Sequence, residues 1–493
     1  MMLLQIPEII RFVCGVDERD ARAAKVCRMR PETEKEGKRM KKAFLIIAGV
    51  FLALCLVGVL GIAALLRTMP KDIGTFNDSA LRRPAESLPE DQNAFTLYLA
   101  AAEAMQRPDD EDRFIRILGG EDWDSDFVRS ILVSNAECFE HVRHGNRLER
   151  CLAPRLESFD ALMPHLAHWR AIARLFSVKA DYHQRQGQPE EALAAVSDLL
   201  QFAYLLEADA VSIIHYLVGT ALREMALHRV RGLIWSGIPD ERLLLQLCEA
   251  LGEHPPSTQG LVSAMQGEYE TFANLIEAMA AGEIPEDEGP PIPDWLGRLG
   301  MRYFIHPNRS KRDMAMFIEE IIDQVERPYA QTHLTDFEAW SEAFEQTLEN
   351  ARGLAKLRVP NIGGTLLVLI AMPSNQRSAK RRCNSQVSHR ATLLIAALHA
   401  FRAGNGRFPQ TLDELVPGIL PEIPLDPYDG KVMRYSHEKG IVYSVGENLV
   451  DSGGSREPLP GRRPMTERRR QYEAEDIVFD VEGKAEDGDA AAP

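Results

Sequence analysis

Several signatures of enzymes and metal proteins are missing from this sequence of 493 residues. The seven cysteines include no C-x-x-C pair and show no zinc-like spacing. The motifs H-E-x-x-H, G-x-S-x-G, G-x-x-x-x-G-K-[ST] and G-x-G-x-x-G are also missing. We therefore expect no catalytic activity and no resident cofactor, with calcium as the one ion considered below.

The chain also lacks an excess of positive charge, since its net charge is −16. Phosphate binding needs a concentrated basic surface, so the sequence excludes nucleic acid as a partner. The apolar fraction of 45% and the charged fraction of 26% are those of ordinary globular protein. A chain of this length exceeds one hydrophobic core, and we expect at least two domains.

Residues 43–66 form a run of 24 residues without a charge. At ~1.5 Å per residue, such a helix spans the ~30 Å hydrocarbon layer with some tilt. Five basic residues crowd its N-terminal side: Lys35, Lys38, Arg39, Lys41 and Lys42. Only Arg67 and Lys71 follow closely. The run is too long for a typical signal peptide and predicts an uncleaved transmembrane helix with the N-terminus in the cytoplasm.

Helical periodicity dominates from Asn93 onward. One helical hairpin is clear, because apolar residues from Trp169 to Ala180 share a face, Gly187 interrupts the pattern, and Pro189 opens a second helix. Phe176, Ala180, Gly187 and Ala192 stand at the spacings of a tetratricopeptide-type repeat. The segment resembles one such hairpin, but Ala221 replaces the glycine of a second copy. We predict a helical-hairpin array of uncertain regularity.

Further helices are expected at 211–234, 240–252, 258–281, 313–327 and 335–356. Asp122, Asp124 and Asp126 have the spacing of a calcium loop. However, Phe127 and Val133 replace its required glycine and glutamate, so we expect a helix cap instead.

Two histidine pairs, His141 with His144 and His165 with His168, each share a helical face. They are the only visible candidates for a metal-dependent active site in this region, and partly exposed surface histidines are the favoured interpretation. Cys138 and Cys151 could form a disulfide in an oxidising compartment, whereas isolated buried thiols are the favoured alternative.

The last fifth of the chain has a different character. A helix is expected through 391–403, ended by Gly404 and Gly406, with an apolar stretch at 365–372 before it. Thr411 is positioned to cap a short helix, and four prolines then hold an extended path. Two strands at 432–436 and 441–445 form a hairpin, which predicts a long helix against a small antiparallel sheet.

This passage resembles the globular domain of the major pseudopilins of type II secretion. The residues that carry the resemblance are Ala397, Leu398, Phe401, Gly406, Phe408, Pro409, Leu412, Leu415, Val416, Pro417, Leu420, Pro421, Pro424, Asp426, Pro427 and Gly430. The segments 443–448 and 475–478 continue it.

The pseudopilin resemblance implies a calcium site, for which Asn448, Asp451 and Asp476 are the matching positions. An asparagine stands in place of the usual acid, and a basic stretch at 462–470 separates the two halves. We therefore favour a solvated loop over bound calcium. Because the pilin cleavage sequence is missing and about 320 residues separate the anchor from this domain, a filament subunit is not expected.

The predicted fold class is mainly α, a helical-hairpin array with one N-terminal transmembrane helix and a small C-terminal α+β pseudopilin-like domain. The expected organisation is a cytoplasmic segment at 1–42, the transmembrane helix at 43–66, a linker at 67–92, a helical domain at 93–360 with a break at 282–297, the α+β domain at 375–480 and a disordered acidic tail at 481–493.

We expect a non-catalytic extracytoplasmic scaffold or protein-interaction protein, held in the inner membrane by one helix. The alternatives are an accessory component of a type II secretion or pilus-like machine, and a metal-dependent enzyme. Envelope or secretion-system proteins are the expected partners. The sequence leaves the oligomeric state open.

Overall fold

The computed structural model describes residues 33–84, 86–156, 163–238, 240–281, 304–462 and 466–483. These residues are mainly helical with one three-stranded antiparallel sheet, which confirms the coarse fold class. The contacts divide the chain into two units, Met1–Met69 and Pro70–Pro493. Among the described residues, no helix meets the length and apolarity expected of a membrane span. The transmembrane assignment of 43–66 stays a prediction.

The first unit contains helix α1, Thr33–Thr68. Large apolar side chains project from it on all sides between Leu45 and Leu60, and they are 56% to 72% exposed. A helix that is apolar all round normally lies inside a protein core or a membrane.

The second unit begins with four short helices: α2 Ala94–Ala104, α3 Glu111–Leu118, α4 Ser125–Ser134 and α5 Ala136–Gly145. Asn93, Asp110 and Asp124 lie at the N-termini of α2, α3 and α4, and each side chain accepts a backbone N–H of the first turn. These bonds satisfy amides that have no partner within the helix. The predicted capping role of Asp124 is confirmed.

Five longer helices follow: α6 His165–Arg185, α7 Pro189–Ala208, α8 Ile213–Trp235, α9 Glu241–Glu253 and α10 Thr258–Ala281. The predicted hairpin is α6 with α7, and Gly187 between them has a φ of +68° that favours glycine. Pro189 opens α7 in its first turn. The predicted helices at 211–234, 240–252 and 258–281 correspond to α8, α9 and α10.

Three further helices complete this region: α11 Pro307–Asp323, α12 Phe337–Asn350 and α13 Ile362–Gln376. A 3₁₀ segment, Gly353–Arg358, connects α12 to α13. The segment 72–84, which the sequence assigns to a linker, is bonded to these helices. The carboxylate of Asp72 accepts the backbone N–H groups of Asn308 and Arg309 at 2.8 and 3.0 Å, in the first turn of α11.

The C-terminal part consists of the long helix α14, Ser378–Asn405, and the strands β1 Arg434–Ser436, β2 Ile441–Ser444 and β3 Ile477–Asp480. The short helix α15, Glu467–Tyr472, precedes β3. The sheet order is β1-β2-β3 with both pairs antiparallel, and Val442 lies opposite Tyr435 on one side and Phe479 on the other. The predicted helix, hairpin and sheet are confirmed.

Two local expectations about α14 and the turn after it need correction. Gly404 lies inside α14, where a Cβ atom would come within 2.6 Å of the Glu241 carboxylate on α9. The helix ends instead at Gly406, which has a left-handed φ of +72°. The hydroxyl of Thr411 makes no capping bond to the short 3₁₀ helix Leu412–Leu415.

One hydrophobic core contains buried residues of α2 to α9, of α14 and of the sheet. A second core lies between α8, α10, α11 and α13. The domain boundary at 360–375 stays a prediction. Three predictions lie wholly or partly outside the described residues: residues 1–32 of the cytoplasmic segment predicted at 1–42, the break at 282–297, and residues 484–493 of the tail predicted at 481–493.

Candidate functional site

Of the three residues predicted to bind calcium, Asp476 is fully buried at the start of β3. Its carboxylate accepts the backbone N–H groups of Ser452, Gly454 and Ser455 at 3.4, 2.8 and 2.9 Å. Burial raises the pKa of Asp476 while these bonds lower it. Asp476 therefore fixes the loop that follows β2, a structural role that requires no ion.

The other two candidates face different neighbours. One Asp451 oxygen accepts the hydroxyl of Tyr443 at 3.2 Å and its own loop's Gly453 N–H at 3.0 Å. The side-chain oxygen of Asn448 accepts the N–H of Val450 within its own turn. The structure brings Asp451 near Asp476, where its charge raises the pKa of that carboxyl. Within the described part of the chain, no group of three His, Cys, Asp or Glu side chains could hold a metal. The favoured solvated loop and its calcium-binding alternative both stay predictions.

A second buried carboxylate lies beside this loop, and the sequence named it only for the pseudopilin resemblance and not as a candidate site. Asp426 is fully buried. It accepts N–H groups of Tyr428 and Val445, the Ser444 hydroxyl, and a guanidinium N–H of Arg434 at 2.7 Å. Desolvation raises the pKa of Asp426, and the four donors offset only part of that rise.

Arg434 links several acids of this region. Its guanidinium also pairs with Asp429, and its Nε lies 3.6 Å from the Asp451 carboxylate. The acidic cluster of Asp426, Asp429 and Asp451 thus already contains a cation supplied by the chain. This pairing favours a closed structural network over an open ion site.

The loop around Asp426 also connects the sheet to the helices. The N–H groups of Tyr329 and Ala330, which precede α12, donate to the carbonyls of Pro427 and Tyr428 at 2.9 and 2.8 Å. A guanidinium N–H of Arg390 on α14 donates to the Leu425 carbonyl at 2.7 Å. The sequence indicated an extended, proline-rich path here, and the buried connection depends on partners that are distant along the chain.

Neither predicted histidine pair converges on a shared ligand position. His144 is exposed, and His141 lies 3.8 Å from the Glu137 carboxylate on its own helix. His165 packs against Trp169 with ring centroids 4.6 Å apart, whereas Nδ1 of His168 contacts the Pro164 carbonyl at 3.1 Å.

Other histidines are more deeply buried than any in those pairs, and His215 and His389 are two of them. His215 on α8 contacts the Trp169 ring at 5.5 Å between centroids. His389 on α14 contacts the Leu251 carbonyl through Nε2 at 2.9 Å. Burial lowers the pKa of each to about 3, so both rings are neutral. Their burial could not be identified from the sequence, because neither belongs to a histidine pair or a motif.

The four described cysteines beyond α1 are free and buried: Cys138, Cys151, Cys248 and Cys383. Cys138 and Cys151 form no disulfide, in agreement with the favoured interpretation. Burial raises the pKa of Cys138 and of Cys248 to about 12, and the pKa of the other two thiols is raised as well. Thiols of this kind are poor nucleophiles at neutral pH.

A small cleft lies between α10, α11 and the start of α14, with about 10 Å³ of space for water. Its walls are mostly apolar, and Arg382 and Gln324 also line it. Small-molecule sites usually enclose ~300–1,000 Å³. This cleft is below that range.

No family model, curated protein or solved structure matches this chain. The resemblances to pseudopilins and to tetratricopeptide hairpins therefore rest on the residues named above.

Proposed function

We propose that this chain is a membrane-anchored scaffold or protein-interaction protein without catalytic activity. Residues 43–66 cross the inner membrane, the N-terminus lies in the cytoplasm, and the body from residue 67 onward lies outside it. The observation that carries the proposal is α1, whose large apolar side chains between Leu45 and Leu60 are more than half exposed.

The energetic argument concerns what surrounds α1. Exposed apolar surface costs about 25 cal/mol per Å² in water, and eleven large side chains of this segment are exposed. A lipid bilayer removes that cost. A 24-residue helix is ~36 Å long, which is sufficient for a ~30 Å hydrocarbon layer.

The absence of catalysis is supported by the way in which the candidate chemical groups are used. Asp426 and Asp476 are occupied by protein donors, and His215 and His389 are buried and neutral. A catalytic acid or base needs access to substrate and a pKa near the working pH.

The expected partners are envelope proteins, and an accessory role in a type II secretion or pilus-like machine is the second candidate. One observation favours that candidate: α14 lies against a three-stranded antiparallel sheet, as the pseudopilin resemblance implies. Loss of secretion or of pilus assembly when the chain is deleted distinguishes this accessory role from that of a general scaffold.

Extraction of membranes with alkaline carbonate tests the anchor. We expect the full-length protein to stay in the membrane pellet. Lysines at Leu54 and Val57 together add about 5–7 kcal/mol to insertion and move the protein out of the pellet. The matched control, Val133→Lys at an exposed site on α4, leaves it there. Release of the unmodified protein by carbonate contradicts the proposal.

A further inference from the structure

The sequence segment that contains α13 is basic in an acidic chain. No Asp or Glu occurs between Glu349 and Asp413, whereas ten Lys and Arg residues do, although the net charge of the chain is −16. Four of these residues are exposed and bracket α13: Arg352, Lys356, Arg358 and Arg377. Their side chains face solvent, and among the described residues no ion pair involves them.

The outer face of α13 is apolar. Val368 and Met372 are fully buried on the inner side of the helix. Leu366 and Ile370, four residues apart and thus on one face, are 46% and 73% exposed. Leu369 beside them is half-buried. An apolar helical face bordered by basic residues is the pattern of a helix that lies in a membrane interface.

The N-terminus of α13 contacts the first turn of α11. The chain segment that follows the anchor binds α11 at the same turn. The side-chain oxygen of Asn361 accepts the N–H of His306 at 2.8 Å and the hydroxyl of Ser310 at 3.0 Å. Asp72 binds the N–H groups of Asn308 and Arg309 in the same turn. The N-terminus of α13 and the docked residue Asp72 are therefore neighbours.

The length of the chain limits how far Asp72 and the N-terminus of α13 can lie from a membrane. Five residues lie between Leu66, the end of the proposed span, and Asp72, so the chain makes six Cα–Cα steps. At no more than ~3.5 Å per residue, Asp72 lies within ~20 Å of the hydrocarbon boundary, whatever the relative placement of the two units. This short connection holds the apolar face of α13 and its four basic residues within reach of lipid headgroups.

We infer that the outer face of α13, with Arg352, Lys356, Arg358 and Arg377, binds the surface of a bilayer that contains anionic lipids. This inference rests on the membrane anchoring proposed above. Leu366 and Ile370 enter the headgroup region, and the four cations bind lipid phosphates. The contact orients the body on the membrane.

The test uses full-length protein in nanodiscs of phosphatidylcholine and phosphatidylglycerol that carry a nitroxide quencher at the headgroup. An environment-sensitive fluorophore is attached at one introduced cysteine. The background replaces three native cysteines by serine: Cys14, Cys27 and Cys55. The probe sites are Ile370→Cys on α13, Leu60→Cys in the anchor and Val133→Cys on α4 as a matched exposed control.

We expect quenching at positions 370 and 60, and little at 133. Each basic residue contributes on the order of a fivefold factor to the ratio of surface-bound to free α13. Replacing Arg352, Lys356, Arg358 and Arg377 together by glutamine therefore abolishes quenching at 370 and leaves it unchanged at 60. Nanodiscs of phosphatidylcholine alone have the same effect.

The two proposals fail differently in this experiment. Quenching at 60 without quenching at 370 retains the anchor and overturns the α13 contact. Self-crosslinking at 370 without quenching also overturns it and assigns the face to a second copy of the chain. Quenching at neither position overturns both proposals.

Discussion

A buried ion pair between α7 and α8 allows a quantitative test of how this core is held together. Glu207 and Arg223 are both fully buried. The guanidinium donates to both Glu207 oxygens at 2.7 to 3.0 Å, and also to the carbonyls of His254 and Pro255 after α9. The pair therefore connects α7, α8 and the turn between α9 and α10.

Removing one partner leaves the other charge buried without compensation. We expect Glu207→Leu and Arg223→Met each to lower the free energy of unfolding by about 3–5 kcal/mol. The double variant leaves no unpaired charge, but the carbonyls of His254 and Pro255 lose their donor and the N–H of Ser257 loses its acceptor. Its cost is about 1.5–3 kcal/mol, less than that of either single variant. The coupling energy is therefore at least ~3 kcal/mol.

The measurement is urea unfolding of the full-length protein in detergent micelles, followed by the fluorescence of the buried Trp169. Glu190 and Arg242 supply the matched control, because their 2.6 Å pair is more than 60% exposed on both sides. The same cycle there, with alanine, gives a coupling of about 1 kcal/mol or less. Additive losses at Glu207 and Arg223 refute the reasoning.

Three other predictions use the same urea assay. Because His215 and His389 have a folded pKa of about 3, below the ordinary value of ~6.5, only the unfolded chain binds their protons between these values. The stabilisation that the two neutral rings give the folded state is complete above pH ~6.5 and is lost as the pH falls. With one proton bound by each unfolded site, the free energy of unfolding falls by at most about 2.7 kcal/mol per pH unit. Asparagine at both sites removes this slope. Gly260→Ala places a Cβ atom 1.9 Å from a carbonyl oxygen of α7 and destabilises, whereas Gly232→Ala in open space stabilises by about 0.5–1 kcal/mol. Asp476→Ala leaves three loop amides without their acceptor and lowers the free energy of unfolding by about 3 kcal/mol. Calcium chelation leaves the urea midpoint of the unmodified protein unchanged. A calcium-dependent shift of that midpoint contradicts this account of the loop.

The helices could be predicted because their cause is local. The apolar repeat of 258–281 gives the bounds of α10, and the interruption at Gly187 gives the turn between α6 and α7. Asp124 was identifiable as a cap because its acceptor bonds amides two and three residues ahead. The sheet followed from alternating residues and a tight turn within a short stretch.

The tertiary partners could not be predicted, because periodicity identifies the buried face of a helix and not its neighbour. Asp72 looked like part of a polar linker, yet it binds α11 at a separation of 236 residues. Glu207 lies on the apolar side of α7, and only the fold supplies Arg223. In the candidate calcium loop, the sequence showed the acids Asp451 and Asp476 but not that Arg434 would lie among them.

The central claim is that α1 crosses a membrane and separates the N-terminus from the body. Single cysteines at Lys42 and Ala343, both exposed, test it in intact spheroplasts with a membrane-impermeant maleimide. The account predicts that position 343 is labelled before lysis and that position 42 is labelled only after it. Labelling of position 42 before lysis, or protection of position 343, contradicts the account.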